Sequence, residues 1–278
     1  MFELITEKHK AGLKKIVKSL DPQQPENAAD ALHKFIEQVR SDIPKNKRVS
    51  YGRYSVLKKT GPLLYRLLQD RGISVTELAS SLFENTEIDP FVRGLGVQLI
   101  SIEAIETGNC GQALSVFEKA AANESWGVRE CSAGVVRKLI KSFPDVMRRW
   151  YISMAESEDP KKRRFAVESI RPVADNPWLK TAPEFCFVIL EKLYTETDAY
   201  PRTSVGNSLS DWARKDKERV FAIVKDLINS ENKDSYWIAY RACRNLVKKE
   251  SKRVMDILKT DEYKYKKRTH RREDNKGK

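Results

Sequence analysis

The sequence predicts an all-α fold in which helix pairs stack into a solenoid. An arginine recurs at steps of 36, 35, 38 and 39 residues, and each copy opens a similar helical stretch. No strand-like alternation of apolar and polar residues separates the copies. A period of this length is typical of helical repeats that bury their apolar faces against their neighbours. The five residues are Arg93, Arg129, Arg164, Arg202 and Arg241.

The N-terminal elements follow from amphipathic spacing and from breakers. Residues 3–19 and 27–43 carry apolar side chains at helical spacing, and the segment DPQQPE separates them. The polar connection PKNKRVS leads to a further apolar stretch that begins at Tyr51. There we expect a helix that starts at Pro62 and ends at Gly72, because proline suits the first turn of a helix and glycine its end.

The repeats themselves read as pairs of helices. A breaker precedes the arginine-bearing helix, as at Asp89-Pro90, Asp159-Pro160 and Tyr200-Pro201. A second apolar helix, such as DVMRRWYISMA or ERVFAIVKDLI, accompanies it, and linkers of a few residues suit antiparallel neighbours. We therefore expect a right-handed, curved α-α superhelix of HEAT-like helix pairs that forms a single domain over residues 1–262.

The charge of the chain favours a polyanionic partner. The net charge of the 278 residues is +13, and residues 264–278 hold eight Lys or Arg against two acidic residues. We expect residues 263–278 to form a disordered basic tail that neutralises phosphates without reading sequence; the alternative is a tail that serves solubility or ribosome affinity. The remaining body is also basic. The tail residues that we predict to bind DNA are Lys266, Lys267, Arg268, Arg271 and Arg272.

Several function classes are disfavoured by what the chain lacks. The four cysteines lie far apart without a CxxC pair, so we expect buried free thiols and neither disulfides nor a metal site. No P-loop, GxSxG or HExxH motif is present, and we expect no cofactor. The chain has no signal-like apolar segment and no stretch as long as a membrane span, so we expect a cytoplasmic protein.

Two consecutive arginine-bearing helices carry residues that helix packing does not require. Trp126 and Glu130 are four residues apart and share one helix face. Arg164, Glu168 and Arg171 lie along one face at i, i+4 and i+7. Tryptophan, carboxylates and arginines therefore recur at similar depth in the stack.

The next helix repeats the pattern, since Asn207 and Asp211 are also four residues apart. Together with the segments W-x-x-x-E, RRFAVESIRP and YPRTSVGNSLSDWARKDKERV, this constellation resembles the DNA alkylation repair proteins of the AlkC/AlkD superfamily, which are HEAT-like DNA glycosylases. The likeness is densest over residues 125–225 and extends over 30–250. SVGNSLSDWARKDKE, close to the family pattern SVANxLNDxxKDxP, is its most specific part.

The resemblance implies a curved stack that grips duplex DNA and releases N3- or N7-alkylated purines without flipping the base into a pocket. Trp126 and Glu130 match the W-x-x-x-D of the AlkD-like branch, with glutamate in place of aspartate. Glu168 matches the glutamate of the AlkC-like E-x-x-R, and Asp211 the aspartate of LND. These four residues are the predicted catalytic set, and the implied partner is alkylated double-stranded DNA bound by a monomer.

The resemblance and the basic charge also indicate which residues contact DNA. Arg164 matches the arginine of the family's RR-x-A segment, and Arg171 that of E-x-x-R. Phosphates flanking a lesion suit guanidinium groups because these donate in a planar fork. The predicted DNA-binding residues of the repeats are Arg129, Arg164, Arg171, Arg202 and Asn207. We expect Arg93 and Arg241 to serve the scaffold.

Structural alternatives stay open for the catalytic set. Trp126 serves equally as a core aromatic, and Glu130 as a solvated helix residue. Glu168 with its two arginines also reads as an ion-pair set of small energy. Asn207 also suits support of the neighbouring repeat, and Asp211 a cap or a local pair. The alternative function is a non-catalytic HEAT-like module that recognises damaged or branched DNA; a protein–protein scaffold fits the one-sided charge less well.

Overall fold

The structure is a computed structural model that describes residues 2–21, 24–48, 50–172, 179 and 181–264. This described part contains α-helices and one short 3-10 turn, without any strand, so the predicted all-α class is confirmed. Contacts divide it into two compact units, the first ending at Leu193 and the second beginning at Tyr194. The expectation of one repeat domain over residues 1–262 stays a prediction.

The first unit is built from helix pairs. Helices α3, α5, α7 and α9 pack on one another in succession, and α5, α7 and α9 each also pack on the helix that precedes them. The helices are α1 (Glu7–Ser19), α2 (Pro25–Ser41), α3 (Arg53–Gln69), α4 (Val75–Glu84), α5 (Pro90–Thr107), α6 (Gly111–Ala122), α7 (Trp126–Ser142), α8 (Pro144–Ala155), α9 (Pro160–Ser169) and α10 (Pro183–Glu191), with the 3-10 turn Lys45–Lys47 before α3.

The second unit repeats this arrangement. Helix α13 packs on α11 and on α12, and α14 packs on α12. The bounds are α11 (Ala199–Trp212), α12 (Lys217–Asn229), α13 (Lys233–Ala242) and α14 (Ser251–Leu258).

The two Asp-Pro breakers precede their helices as predicted, and the structure shows that each aspartate is the helix cap. The Asp89 carboxylate accepts the backbone N–H of Phe91 at 2.8 Å, and the Asp159 carboxylate that of Lys161 at 2.8 Å. In both helices proline takes the first position, where no intrahelical donor is needed. Helix α11 differs because Asp198 is its cap, so Pro201 lies inside its first turn.

Helix α3 begins nine residues before the predicted start at Pro62. The proline lies inside the helix, so the carbonyl of Lys58, four residues earlier, lacks its intrahelical donor. The side-chain amide of Gln98 on α5 donates to this carbonyl at 3.3 Å. Gly61 leaves the space that Gln98 occupies, since a Cβ there would lie 2.4 Å from the Gln98 amide carbon. The freed carbonyl thus becomes a link between neighbouring helices.

The four cysteines are buried and free, as predicted. Burial raises the pKa of the Cys131 thiol to about 12, with the negative charge of Glu130 adding to the effect. Burial likewise raises the pKa of Cys243 to about 12 and raises that of Cys186. These thiols are neutral at physiological pH and shielded from reagents.

Thiol labelling tests this packing. A disulfide reagent at pH 8 should modify at most Cys110 in the folded protein, because the other three thiols are buried and protonated. All four should react in denaturant. Rapid modification of Cys131 in the folded protein would contradict the close contact between α5 and α7.

Candidate active site

The ladder of arginines sits at the fourth position of its helices. Arg93 is the fourth residue of α5, Arg129 of α7 and Arg202 of α11. In α9 the fourth residue is Arg163, so the prediction that Arg164 continues the ladder is wrong by one residue. Arg241 is the ninth residue of α13 and occupies a different row. The position of each arginine relative to the start of its helix therefore defines the repeat better than the spacing between arginines does.

Two arginines of the fourth position, Arg129 and Arg163, bind the loop that precedes their own helix. Arg163 donates to the carbonyls of Ser157 and Glu158 at 2.9 and 2.8 Å. Arg129 donates in the same way to the carbonyls of Asn123 and Glu124. These guanidinium groups close the loop between the two helices of a pair.

Arg93 has a comparable scaffold role. It is buried, donates to the carbonyl of Phe83 at 2.9 Å and lies 5.7 Å from the centroid of that ring. Burial lowers the pKa of this guanidinium. The expectation that Arg93 serves the scaffold is consistent with these contacts.

Replacing Arg163 by Ala should lower the free energy of unfolding by about 2 kcal/mol, because two carbonyls lose a charged donor. Chemical denaturation measures the loss. Arg163→Lys is the matched control: it keeps the charge but not the fork, and should recover part of the stability while leaving DNA affinity unchanged. A variant Arg163→Ala with native stability and weakened DNA binding would show that Arg163 contacts DNA instead.

Trp126 and Glu130 lie on the surface of α7. The side chain of Trp126, at the first position of the helix, is 57% exposed, which excludes the core alternative. Glu130, one turn later, is exposed as well. An exposed indole beside an exposed carboxylate is available to a ligand. Both stay predicted site residues.

Glu168 is the buried centre of an ion-pair cluster on α9. The residue is 7% exposed, and its Oε2 accepts from Arg171 Nη1 at 3.0 Å. Its Oε1 lies 3.7 Å from Arg164 Nη2. The side chains of the two arginines are 16% and 28% exposed, so the whole cluster is largely withdrawn from water. This burial distinguishes it from the solvated ion-pair set considered above, and electrostatic interactions are correspondingly stronger.

Arg137 ties this cluster to α7. Its guanidinium donates to the carbonyls of Glu168 and Ser169 at 2.8 and 2.9 Å. Helices α7 and α9 are in contact, and Glu130 and Arg164 occupy the fifth position of the two helices. The structure thus places Trp126 and Glu130 on the helix that adjoins the Glu168 cluster.

Tyr54 is a neighbour that the sequence did not indicate. Its hydroxyl lies against Gly134 of α7, where an added Cβ would be 2.2 Å from it. Gly134 is the ninth residue of α7 and corresponds to Glu168 in α9. A tyrosine from α3 therefore reaches the row that contains the candidate carboxylate. The signal was the glycine, whose missing side chain makes room for the phenol.

In the second unit, Asn207 joins α11 to α13. Its Oδ1 accepts from Arg241 Nε at 3.0 Å and from Arg244 Nη1 at 3.2 Å. Arg244 Nη2 also lies 3.9 Å from Asp211 Oδ1. These contacts give Asn207 and Arg241 the supporting role between repeats that the sequence allowed.

Arg202 is engaged by an acid and by an aromatic ring. It forms an ion pair with the buried Asp234 of α13, and its guanidinium lies 4.9 Å from the centroid of Trp237. Arg241 lies 5.3 Å from the same centroid, so two arginines contact one indole. Sequence reasoning made no functional claim for Trp237.

The predicted set is only partly brought together. Trp126, Glu130 and Glu168 lie on two adjoining helices of the first unit, whereas Asp211 lies in the second, and its approach to the others stays a prediction. Within the described ranges, no three His, Cys, Asp or Glu side chains gather as metal ligands. Every described helix also falls short of the length and apolar content needed to cross a bilayer. The five tail cations lie outside the described residues: Lys266, Lys267, Arg268, Arg271 and Arg272.

Comparison with known proteins places these helices in context. The sequence model of a family described as "DNA alkylation repair enzyme" matches residues 114–246, which include every candidate residue of the repeats. The uncharacterized protein YhaZ of Bacillus subtilis (strain 168) is 30% identical over 147 residues, 51% of this chain and 40% of YhaZ. The chain thus spans less than half the length of that relative.

Two solved structures share the fold. The alkylpurine DNA glycosylase AlkC of Pseudomonas fluorescens, bound to DNA containing an abasic site analogue, is 18% identical with a TM-score of 0.50. That match covers 91% of this chain and 65% of the glycosylase. AlkD2 of Streptococcus mutans is 18% identical with a TM-score of 0.53, over 76% of this chain and 97% of AlkD2. At this identity the likeness establishes the helical fold.

Proposed function

We propose that this chain is a DNA glycosylase of the DNA alkylation repair family, whose sequence model matches residues 114–246. Its proposed substrates are purines alkylated at N3 or N7, and it hydrolyses their N-glycosidic bond while the base stays in the duplex. The observation that carries the proposal is Glu168, a buried carboxylate between Arg164 and Arg171, on a helix that adjoins the exposed Trp126 and Glu130.

The chemistry suits a carboxylate without a strong general acid. An alkylated purine is already cationic, so its glycosidic bond is weakened and the leaving base needs no further proton. Positive charge moves to the sugar as an oxocarbenium ion when the bond breaks, and a fixed negative charge stabilises it or orients the attacking water. Glu168 has the larger effect in this proposal because its buried position weakens screening by solvent. Glu130 assists from an exposed position on the adjoining helix α7.

The remaining residues bind and orient the substrate. The exposed indole of Trp126 attracts the cationic base through its π face, on the order of 1–2 kcal/mol when water is excluded. Arg164 and Arg171 move from Glu168 onto phosphates that flank the lesion, which frees the carboxylate for the sugar. The basic tail adds further contacts to the backbone, whereas Arg129 and Arg202 are engaged within the protein by a loop and by an ion pair. The protein acts as a monomer on nucleoid DNA in the cytoplasm.

A second candidate function is a non-catalytic module that binds damaged or branched DNA. It rests on the arginine cluster of the second unit, where Arg241 and Arg244 both donate to Asn207 and remain partly exposed. Competition binding among a methylated duplex, an unmodified duplex and a four-way junction separates the two. The glycosylase should favour the methylated duplex and release bases from it. Preference for the junction with no release would select the module.

A further inference from the structure

A long groove runs along α3 in the first unit. Its volume is about 800 Å³, and the N-terminal segment, α1, α3 and α7 all contribute to its walls. None of its residues belongs to the candidate active site. The lining combines apolar side chains, among them Phe2, Tyr51, Pro62 and Leu63, with polar ones.

The charge of the groove is almost wholly positive. One acidic residue, Glu3, lines it, and it pairs with Lys10 at 3.6 Å. Lys59 and Arg66 are exposed and have no acidic partner among the described residues. The cations that line it are Lys10, Lys58, Lys59, Arg66 and Lys138.

Three cations of α3 line the groove, namely Lys58, Lys59 and Arg66. They lie at helical spacing with Ser55 and Pro62 on the face that lines it. From Lys58 to Arg66 the helix axis extends about 12 Å at 1.5 Å per residue. Phosphates of one DNA strand follow at about 3.4 Å along the duplex axis, so this length spans about three phosphate steps.

Helix α7 contributes to both the groove and the candidate active site. Lys138 lines the groove, and Glu130 lies two turns earlier on the same face of this helix. Between them, buried Gly134 contacts Tyr54, which directly precedes Ser55 of the groove lining.

We propose that this groove binds the phosphate backbone of a DNA strand that flanks the lesion. The phosphates contact Lys58, Lys59 and Arg66, and sugar edges contact the apolar floor. The ring pair of Phe2 and Tyr51, with centroids 5.3 Å apart, forms one wall. The assignment rests on the proposed function in so far as DNA is the polyanion.

Salt-dependent binding to an undamaged duplex tests the groove without any requirement for catalysis. The probe is a fluorescently labelled 20-base-pair duplex, and the variant is the double substitution Lys59→Gln, Arg66→Gln in the full-length chain. Each lost phosphate contact should lower the slope of log affinity against log salt by about 0.9, so the double variant should lose about 1.8. The matched control is Lys15→Gln, Lys18→Gln, two exposed cations of α1 that do not line the groove.

The proposal predicts a reduced slope for the groove variant and an unchanged slope for the control. Equal slopes for wild type and groove variant, or equal losses in groove variant and control, would overturn it, since a general field of the basic surface would then account for binding. Failure of the glycosylase proposal has a different signature: no base release, with the groove effect on the slope intact.

Discussion

Replacing Glu168 by Gln should lower the rate of alkylpurine release by about 10²–10³-fold, comparable with the loss of one preorganised electrostatic contact at a reacting centre. The substitution keeps the shape of the side chain and removes its negative charge. In the wild type, Arg171 donates to this carboxylate at 3.0 Å and Arg164 lies 3.7 Å from it. Single-turnover release from methylated DNA, with enzyme in excess, isolates the chemical step.

Two controls separate chemistry from folding. Thermal unfolding of Glu168→Gln shows whether Arg164 and Arg171, left without their acid, destabilise the chain. Glu130→Gln removes an exposed carboxylate of the adjoining helix and should cost less than Glu168→Gln. A loss for Glu130→Gln that exceeds the loss for Glu168→Gln would transfer the principal role to α7.

The second large effect concerns Trp126. Trp126→Ala should lower release of cationic bases by about 5–30-fold, the equivalent of 1–2 kcal/mol of cation–π attraction. The free energy of unfolding should stay within about 0.5 kcal/mol of the wild type, because the indole is 57% exposed. Single-turnover kinetics below saturating enzyme measure this effect, because the attraction acts on the cationic base as it binds.

Trp126→Phe is the matched variant, since a benzene ring retains a weaker π face and should keep part of the activity. Equal rates for Trp126→Ala and the wild type would remove Trp126 from the site. A large loss of stability in Trp126→Ala would instead indicate a packing role that the exposed position does not suggest.

The sequence predicted the fold class and the helix pairs because the apolar period and the Asp-Pro breakers are local signals. Asp89 and Asp159 act as caps, and the prolines that follow them open α5 and α9. The start of helix α3 was predicted wrongly, because a proline usually lies in the first turn of a helix and Pro62 lies inside this one. Pro62 leaves the Lys58 carbonyl without a backbone donor, and this carbonyl accepts a hydrogen bond from Gln98 of the neighbouring helix α5.

The sequence indicated which residues belong to the candidate site, but not how deeply they are buried or what they contact. The spacing of Arg164, Glu168 and Arg171 predicted a shared face, and the structure adds that Glu168 is buried between the two arginines. Burial depends on neighbouring helices, which local spacing does not report. The register of the arginines failed by one residue because Arg163 and Arg164 are adjacent, and only the helix cap distinguishes them.

Tyr54 and Trp237 illustrate what a sequence pattern cannot reveal. Tyr54 lies 80 residues before the glycine it contacts, and Trp237 follows Arg202 by 35 residues. No regular sequence spacing predicts either contact, since each contact depends on which helices become neighbours in the fold. The glycine at position 134 was the one local clue.

The most direct test of the proposed glycosylase activity is the amount of free 3-methyladenine and 7-methylguanine released from methylated duplex DNA. It is quantified by chromatography for the wild type and for Glu168→Gln, with binding of both proteins to the same DNA measured in parallel. The wild type should release bases well above the spontaneous rate, and the variant should bind the DNA with strongly reduced release. Binding by the wild type with release at the spontaneous rate would contradict the proposed activity.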